Sequence, residues 1–561
     1  MKKIFLLLAF VPVLGVLHAQ TNDVLQKEVK QAIKDAYAAT VRINNCNADM
    51  QVIGGNFTGV VVDAKGIILS AEHAVNPDEI FLITFPDGRQ VKGKGLGSIP
   101  FADAAMILIT DKGKWPVAKM GWSSLLEKGV PCISIAYPGS LEHSQPSIRF
   151  GYVVDPKDRG TQDLQTTCKM EPGDSGGPTF DLEGRVIGIH SKITNAIGEN
   201  FDAPIDVFRK YWTTLQVPQK HLAFLDEDTF ASGKKSAALN PVPGLNNMIA
   251  GFKTQDAAFQ KTVFAVKDSV SPTLVINGTL INLKGIAPVS RITGKSFLVT
   301  KNSMIGQYPM VELPSGQFLR AKVVRRDENT DLALLEISQE ISDGVNLQKR
   351  ADTVTFKDYG NFLISPKPQS DGIVSVISNG FLSIPKLPDY YLGFKALART
   401  DDHLMVAAEV YAEVAKEKTR DTTRARDGIA SHDQLMSINN KPILKLKDIT
   451  SELSKYDYNQ TVSVQYKKST GNIYTKELPL KRYYVPQNSV KDLFPEGRSQ
   501  RIDNFQKVLL HDGNLAPADC GGPLYGTDGV FYGVNIARYS RTTSLTIPAK
   551  VVEVFVMNAI Q

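Results

Sequence analysis

Eight consecutive residues limit what this chain can become. Glu171-Pro172-Gly173-Asp174-Ser175-Gly176-Gly177-Pro178 holds three glycines and two prolines around one serine. Such a run propagates neither a helix nor a central strand, because proline lacks an amide hydrogen and glycine loses the most backbone entropy on ordering. It reads as a sharp turn that points the amides of Gly173 and Ser175 the same way. Two convergent amides beside a hydroxyl suit acyl transfer, with an oxygen to attack and a preformed hole for the oxyanion. A hydroxyl is a weak nucleophile, so the reading requires a base and an orienting acid elsewhere. His73, in Leu69-Ser70-Ala71-Glu72-His73, follows one apolar run; Asp103, in Ala102-Asp103-Ala104-Ala105-Met106-Ile107, precedes another. Gaps of 30 and then 72 residues separate the three side chains.

The surroundings are short apolar runs punctuated by turns. A helical period spans Gln20 to about Thr40, through Val24, Val29, Ile33 and Tyr37. Strand-like runs then follow at Val41–Ile43, Phe57–Val62, Ile67–Ser70, Ile80–Phe85, Gln90–Lys94, Met106–Ile109, Cys132–Ala136, Thr179–Asp181 and Arg185–Ile189. Many short strands at regular spacing predict β-barrels rather than alternating β/α units. Gly173-Asp174-Ser175-Gly176-Gly177 also fits the Gly-x-Ser-x-Gly elbow of an α/β-hydrolase. That elbow places its acid and histidine after the serine, where this chain offers only short strands.

Residues 36–215 resemble a chymotrypsin-fold serine protease of the bacterial HtrA type. The matching pieces are Ser-Ala-Glu-His73, Ala-Asp103-Ala-Ala-Met-Ile-Leu, Pro-Gly-Asp-Ser175-Gly-Gly-Pro, Arg-Val-Ile-Gly-Ile after it, and Asn200-Phe201-Asp202-Ala203-Pro204-Ile205. The resemblance implies that His73 is the general base, that Asp103 orients its imidazole, and that Ser175 attacks. It also implies that Gly173 and Ser175 amides bind the oxyanion. HtrA-type enzymes commonly carry Asn where this chain has Asp174. An Asp there resembles the animal enzymes, in which it pairs with a freed terminal ammonium, and Ile53-Gly54-Gly55-Asn56 looks like such a terminus. Val41-Arg42-Ile43 already supplies a first strand, so Asp174 is expected to set the turn through a local hydrogen bond. His190 lies where glutamyl endopeptidases carry a histidine that recognises an acidic side chain. Lys169 would lie near the same pocket floor. Two cations there would favour a carboxylate; the bland alternative puts His190 in solvent and makes Lys169 a surface charge.

The chain then repeats itself. Ala257–Asp268 reads as a second helix and Thr273–Ile276 as the strand after it. Gly294-Lys295-Ser296-Phe297-Leu298-Val299-Thr300 matches the run before His73, but Ser303 stands in the histidine's place. Asp331 keeps the acid, and Ala518-Asp519-Cys520-Gly521-Gly522-Pro523 keeps the turn with Cys for Ser. Gly529–Val534 and Leu545–Pro548 complete the copy. A thiol needs its own base. Ser303 cannot serve and His511 reads as a loop residue, so this copy is expected to be catalytically dead.

Asp331 and Cys520 are 189 residues apart, against 72 in the first copy. The excess resembles a PDZ domain. Pro388–Phe394 looks like its carboxylate-binding loop, with amides at Leu392, Gly393 and Phe394, and Gln434–Pro442 like an inner strand and turn. Lys445–Tyr456 looks like the groove helix, and Thr461–Tyr466 and Tyr474–Leu478 like closing strands. That likeness implies capture of C-terminal peptides by strand addition. The stretch Ala407–Asp427 departs from the family.

The expected fold is mainly β: two tandem trypsin-like double β-barrel domains plus a PDZ-like domain inserted in the second. The expected division is a signal peptide at 1–19, an active protease domain at 20–218, a linker at 219–255, a degenerate protease-like domain at 256–385 with 486–561, and the PDZ-like insertion at 386–485. Lys2 and Lys3 before the apolar run Ile4–Leu17, with Ala19 as a cleavage residue, predict export to a bacterial periplasm or beyond. No stretch is long and apolar enough to predict an integral membrane segment. A net charge of +6 over 561 residues, with no basic block interleaved with aromatics, argues against nucleic acid. Cys46, Cys132, Cys168 and Cys520 follow no disulfide or metal spacing, so neither an essential bridge, a metal nor a cofactor is expected. The expected partners are polypeptide substrates. The competing reading is a peptide-binding, chaperone-like pseudoprotease.

Overall fold

A computed structural model describes residues 10–47, 50, 52–141, 145–157, 162–223, 225–239, 245–269, 273–386, 390–392, 395–398, 404–407, 428–429, 433–444, 446–456, 460–482 and 497–560. The chain is mainly β. A helix, Phe10–Ala36, runs through a 3₁₀ turn at Tyr37–Ala39 into the first strand, Thr40–Cys46. It starts ten residues before the helix expected from periodicity. Leu25, Val29, Ala32, Ile33 and Ala36 are its buried stripe. Among the described residues no helix is long and apolar enough to cross a membrane.

Two barrels follow. The first is closed, in the order Thr40–Cys46, Val52–Val61, Ile67–Ser70, Ala104–Ile109, Gln90–Ile99, Ile80–Thr84. Val41, Ile43, Phe57, Phe81, Ile83 and Ile107 fill it, alternating with outward residues as a period of two requires. The second holds Pro178–Phe180, Pro131–Ala136, Ser147–Asp155, Leu164–Thr166, Asn200–Pro204 and Arg185–Ile193, and a pairing of the first of these with the last closes the ring.

The second half repeats the plan. Its first sheet runs Phe318–Arg320, Pro309–Glu312, Val263–Asp268, Val275–Asn282, Ser296–Lys301, Leu332–Ile337, Lys322–Asp327. Its second is a closed barrel of Phe362–Lys367, Ser370–Ile384, Phe505–His511, Ser544–Pro548, Phe531–Arg538 and Pro523–Gly526. Two expectations fail here. The second helix is Leu245–Phe259, so it starts in the expected linker, and Val263–Asp268 is a strand. Val263-Phe264-Ala265-Val266 is a continuous apolar run buried on both faces, which periodicity cannot tell from a buried helix. The counterpart of the first strand is therefore Val263–Asp268, not Thr273–Ile276. One core joins the halves: Ile33, Ile135 and Phe180 share a cluster with Phe252, Phe362, Ile364 and Leu509.

The inserted region forms a sheet of Lys395–Ala398, Leu404–Ala407, Gln434–Ile438, Thr461–Lys467 and Ile473–Pro479. A helix, Leu446–Leu453, contributes Leu453 to a small core with Leu392, Leu435, Ile438, Val462 and Val464. Gly393 and Phe394 of the expected peptide loop lie outside the described residues, as does most of Ala407–Asp427.

Candidate active site

His73 sits in a 3₁₀ turn, Glu72–Ala74, that closes the strand Ile67–Ser70. Asp103 ends another such turn and adopts a left-handed backbone, φ 47°. Asp tolerates that conformation because its short side chain can bond locally. One carboxylate then makes several contacts. Asp103 Oδ1 accepts the His73 amide at 3.0 Å, and both oxygens lie 3.0 Å from His73 Nδ1. Ser191 Oγ donates to Asp103 Oδ2 at 2.6 Å. A carboxylate on Nδ1 fixes the proton there and leaves Nε2 as the basic nitrogen. The hydrogen bond to Asp103 raises the His73 pKa above its ordinary 6.5, against the lowering by partial burial. The imidazole side chain is 47% exposed, so the site is open to solvent.

The serine turn is docked on the same strand end. The Thr58 amide donates to Ser175 O at 2.9 Å, and Thr58 Oγ1 donates to Gly173 O at 2.9 Å. Gly176, at φ +80°, presses so close that a Cβ would fall 2.0 Å from Ser70 Oγ and 2.3 Å from Thr58 O. Only glycine permits that approach. Gly176 N–H donates to His190 O at 2.8 Å and His190 N–H to Gly177 O at 2.7 Å. The segment His190-Ser191 therefore ties the serine turn to Asp103. Ser175 Oγ itself makes no hydrogen bond to a described residue, His73 included.

The Pro172 carbonyl accepts the Gly139 amide at 2.7 Å. In a trans peptide the amide hydrogen points opposite to the carbonyl, so Gly173 N–H is directed away from Gly139. Among the described residues neither Gly173 N–H nor Ser175 N–H meets a protein acceptor. Asp174 holds this shape. Its carboxylate accepts the Glu171 amide at 2.8 Å, which is the expected local bond, and also takes a bidentate pair from Arg149 at 2.8 and 3.1 Å. Both side chains are 1% exposed. Burial pushes the Asp174 carboxyl above its ordinary range, against the pull of Arg149. The cation beside Asp174 is thus an internal arginine, which the sequence reading did not anticipate.

Residues 57–189 match the family described as trypsin-like peptidase domain. The first half carries a trypsin-like peptidase domain and is similar to serine proteases of the HtrA type. A serine protease of Synechocystis sp. named HhoA is 32% identical over 174 residues, 29% of this chain and 43% of that protein. A Do-like protease 14 of Arabidopsis thaliana is 28% identical over 305 residues, 49% of this chain and 65% of its own. A DegP-like periplasmic serine endoprotease of Pseudomonas fluorescens is 32% identical over 159 residues, 27% and 33% of the two chains. The chain thus spans between a third and two thirds of the length of these relatives.

In this trypsin-like domain the two expected specificity residues turn inward. His190 is 1% exposed, with Nδ1 2.6 Å from Asp202 Oδ1 and Nε2 2.6 Å from Ser134 Oγ. It faces neither solvent nor an open pocket. Lys169 is no surface charge either: its ammonium donates to the Asp512 carbonyl of the second half, and burial lowers its pKa to about 8. Sequence reading missed Arg149, Ser191 and Thr58. Arg149 had a signal, as the one charge inside the run Ser147–Val154; Ser191 and Thr58 look like ordinary strand residues.

The second copy holds its acid in a different company. Ser303 N–H and Oγ donate to Asp331 at 2.7 and 2.8 Å, and Lys301 Nζ donates to Asp331 Oδ2 at 2.8 Å and to Ile536 O at 2.6 Å. Lys301 and Asp331 are both buried. Cys520 is buried too, and burial raises its pKa. His511 ends the strand Phe505–His511 rather than lying in a loop. Burial lowers its pKa to about 3, and its Nε2 is 3.2 Å from Asn535 Oδ1.

Proposed function

We propose that this protein is an exported serine endopeptidase in which only the first half is catalytic. The observation that carries the reading is the His73–Asp103 pair beside a serine turn whose two amides meet no internal acceptor. In the proposed reaction Ser175 Oγ attacks the peptide carbonyl carbon while His73 Nε2 takes its proton, and Asp103 steadies the imidazolium. The Gly173 and Ser175 amides receive the oxyanion. The C–N bond then breaks as His73 returns the proton to the leaving amine, and an acyl-serine forms. Water, deprotonated by the same histidine, attacks the ester and releases the acid. Export rests on the leader-like start and on the relatives named as periplasmic.

The second half, 256–385 with 486–561, is read as a degenerate protease-like domain, and 386–485 as a PDZ-like module that takes peptide C-termini near Leu392. Its sheet and helix suit strand addition. An acidic preference before the scissile bond rested on His190 and Lys169. With both turned inward we read the pocket as lacking that pair of cations. Peptide profiling of the wild type and His190→Gln checks this, since a strong acidic preference lost in the variant would restore it. The decisive test of the main reading is a fluorophosphonate probe with wild type and Ser175→Ala. Labelling and peptide hydrolysis lost in the alanine variant support the enzyme. A folded wild type that neither labels nor hydrolyses favours the peptide-binding pseudoprotease.

A further inference from the structure

The segment Arg538-Tyr539-Ser540-Arg541-Thr542-Thr543-Ser544 joins two strands of the second half. Connections of this kind normally run over the surface. This one is polar throughout, yet every residue in it is buried, with exposures from 0 to 7%. What covers it is the first half. Tyr539 Oη donates to Ser140 O at 2.8 Å, and Thr542 Oγ1 donates to Glu171 Oε2 at 2.9 Å. Arg541 donates to the carbonyls of Asn195 and Ala196 at 3.4 and 2.7 Å.

Those contacts converge on the oxyanion turn. Ser140 N–H donates to Glu171 Oε1 at 3.2 Å, so Tyr539 and Thr542 grip the two ends of one internal bond. Next to it in sequence is the Gly139-to-Pro172 bond that sets the direction of the Gly173 amide. Glu171 also exchanges bonds with Asp174, giving its amide to the carboxylate and accepting the Asp174 amide at 3.0 Å. Asp512 adds a second brace, through Phe150 N–H at 3.1 Å and through Lys169. Phe150 follows Arg149, the partner of Asp174. The first-half partners of the segment are Ser140, Glu171, Asn195 and Ala196, and His73 stays half-exposed.

We propose that residues 539–543 of the dead half are a positioning element for the live one, holding the Pro172–Gly173 peptide with its amide toward the oxyanion. Tyr539 and Thr542 are positioning residues, since neither touches the reacting atoms. Without them the 139–140 and 171–173 segments lose their outer partners, and the peptide is free to turn. One donor then leaves the hole, a loss that costs about 10²–10³ in kcat when complete. The inference rests on the protease reading for its kinetic consequence, but not for its structural one.

The test uses the full chain with Tyr539→Phe and Thr542→Val combined, two changes that remove hydroxyls and keep volume. Hydrogen exchange of the 168–176 segment and peptide hydrolysis are measured together. The expected result is several-fold faster exchange there, a kcat lowered about tenfold with KM nearly unchanged, and recovery in Tyr539→Phe with Thr542→Ser. Wild-type exchange or wild-type kcat in the double variant overturns the proposal while leaving the protease reading intact. If the wild type itself neither labels with a fluorophosphonate nor hydrolyses peptide, the protease reading fails, and the exchange rate alone decides whether the segment braces the turn.

Discussion

The two halves share a scaffold down to single hydrogen bonds. Asp103 and Asp331 are both left-handed, at φ 47° and 60°, and each accepts an amide two or three residues past a strand end, at 3.0 Å for His73 and 2.7 Å for Ser303. Thr58 N–H reaches Ser175 O at 2.9 Å, and Asn277 N–H reaches Cys520 O at 3.1 Å. Gly176 and Gly521, at φ +80° and +93°, bond the His190 and Asn535 carbonyls at 2.8 and 2.7 Å. The difference lies in what the acid faces. Ser191 and His73 share Asp103 in one half; Lys301 and Ser303 share Asp331 in the other. Ala518 also stands two residues before Cys520, where the first half has Gly173 at φ +103°, a conformation alanine avoids. Backbone bonds hold the turn in both halves, so its shape does not depend on the side chains around the acid. Titratable groups are another matter, because a carboxylate buried without a histidine beside it needs a cation, which Lys301 supplies to Asp331.

The sharpest break of the comparison is at the nucleophile. Ser175→Ala is expected to abolish fluorophosphonate labelling and cost about 10⁶ in kcat. Cys520→Ser is expected to change neither, and label on residue 520 of that variant would overturn the asymmetry. The acids should separate in opposite senses. Asp103→Asn is expected to lose about 10⁴ in kcat through the wrong imidazole tautomer, with little change in melting temperature. Asp331→Asn should leave kcat alone but destabilise by about 3–5 kcal/mol, because Lys301 becomes an uncompensated buried charge. Kinetics and urea unfolding on the same preparations check both.

A stability effect of similar size, with a smaller kinetic one, is expected at Arg149. Arg149→Met leaves the Asp174 carboxylate buried without its cation, costing about 3–5 kcal/mol at neutral pH and loosening the oxyanion turn. The sign with pH follows from burial. In the variant the folded-state pKa of Asp174 is raised further above its unfolded value, so the penalty is full above the folded pKa. It shrinks as pH falls through that value and is gone below the unfolded one. The stability gap to wild type should therefore narrow on acidification, and a gap independent of pH would mean that Arg149 acts by packing alone.

Much of this was legible in the sequence, and for a definite reason. His73, Asp103 and Ser175 each sit at a strand end beside residues with strong local signals: a glycine-rich turn, an apolar run, a capping acid. Local signals survive without knowledge of the fold. The second half was legible for the same cause, as the glycines that permit close approach recur at Gly521 and Gly522. What stayed hidden depends on pairing across the chain. Arg149 and Asp174 are 25 residues apart and meet only because the serine turn folds back against the strand Ser147–Asp155. His190 was read as a pocket residue because sequence cannot show that Asp202 and Ser134 claim both its ring nitrogens. The Val263–Asp268 strand was read as helix because a fully buried run lacks any period.

The smallest expected effect tests the electrostatics of the live pair directly. General-base action needs neutral His73, so the rate should fall on the acid side as Nε2 becomes protonated. The hydrogen bond from Nδ1 to Asp103 favours the imidazolium and places that limb above the ordinary 6.5. Removing the negative charge must move it the other way. In the residual activity of Asp103→Asn the limb should lie at lower pH than in the wild type. Ser191→Ala gives a finer version. It removes one donor to the Asp103 carboxylate, leaving more of its charge for the imidazole, so the limb should move slightly upward while kcat at its plateau falls only a few-fold. The second half supplies the contrast: Lys301, standing where Ser191 acts, would saturate the same oxygen with a full positive charge. A limb that moves down in Ser191→Ala would show that the hydroxyl orients the carboxylate more than it competes for it.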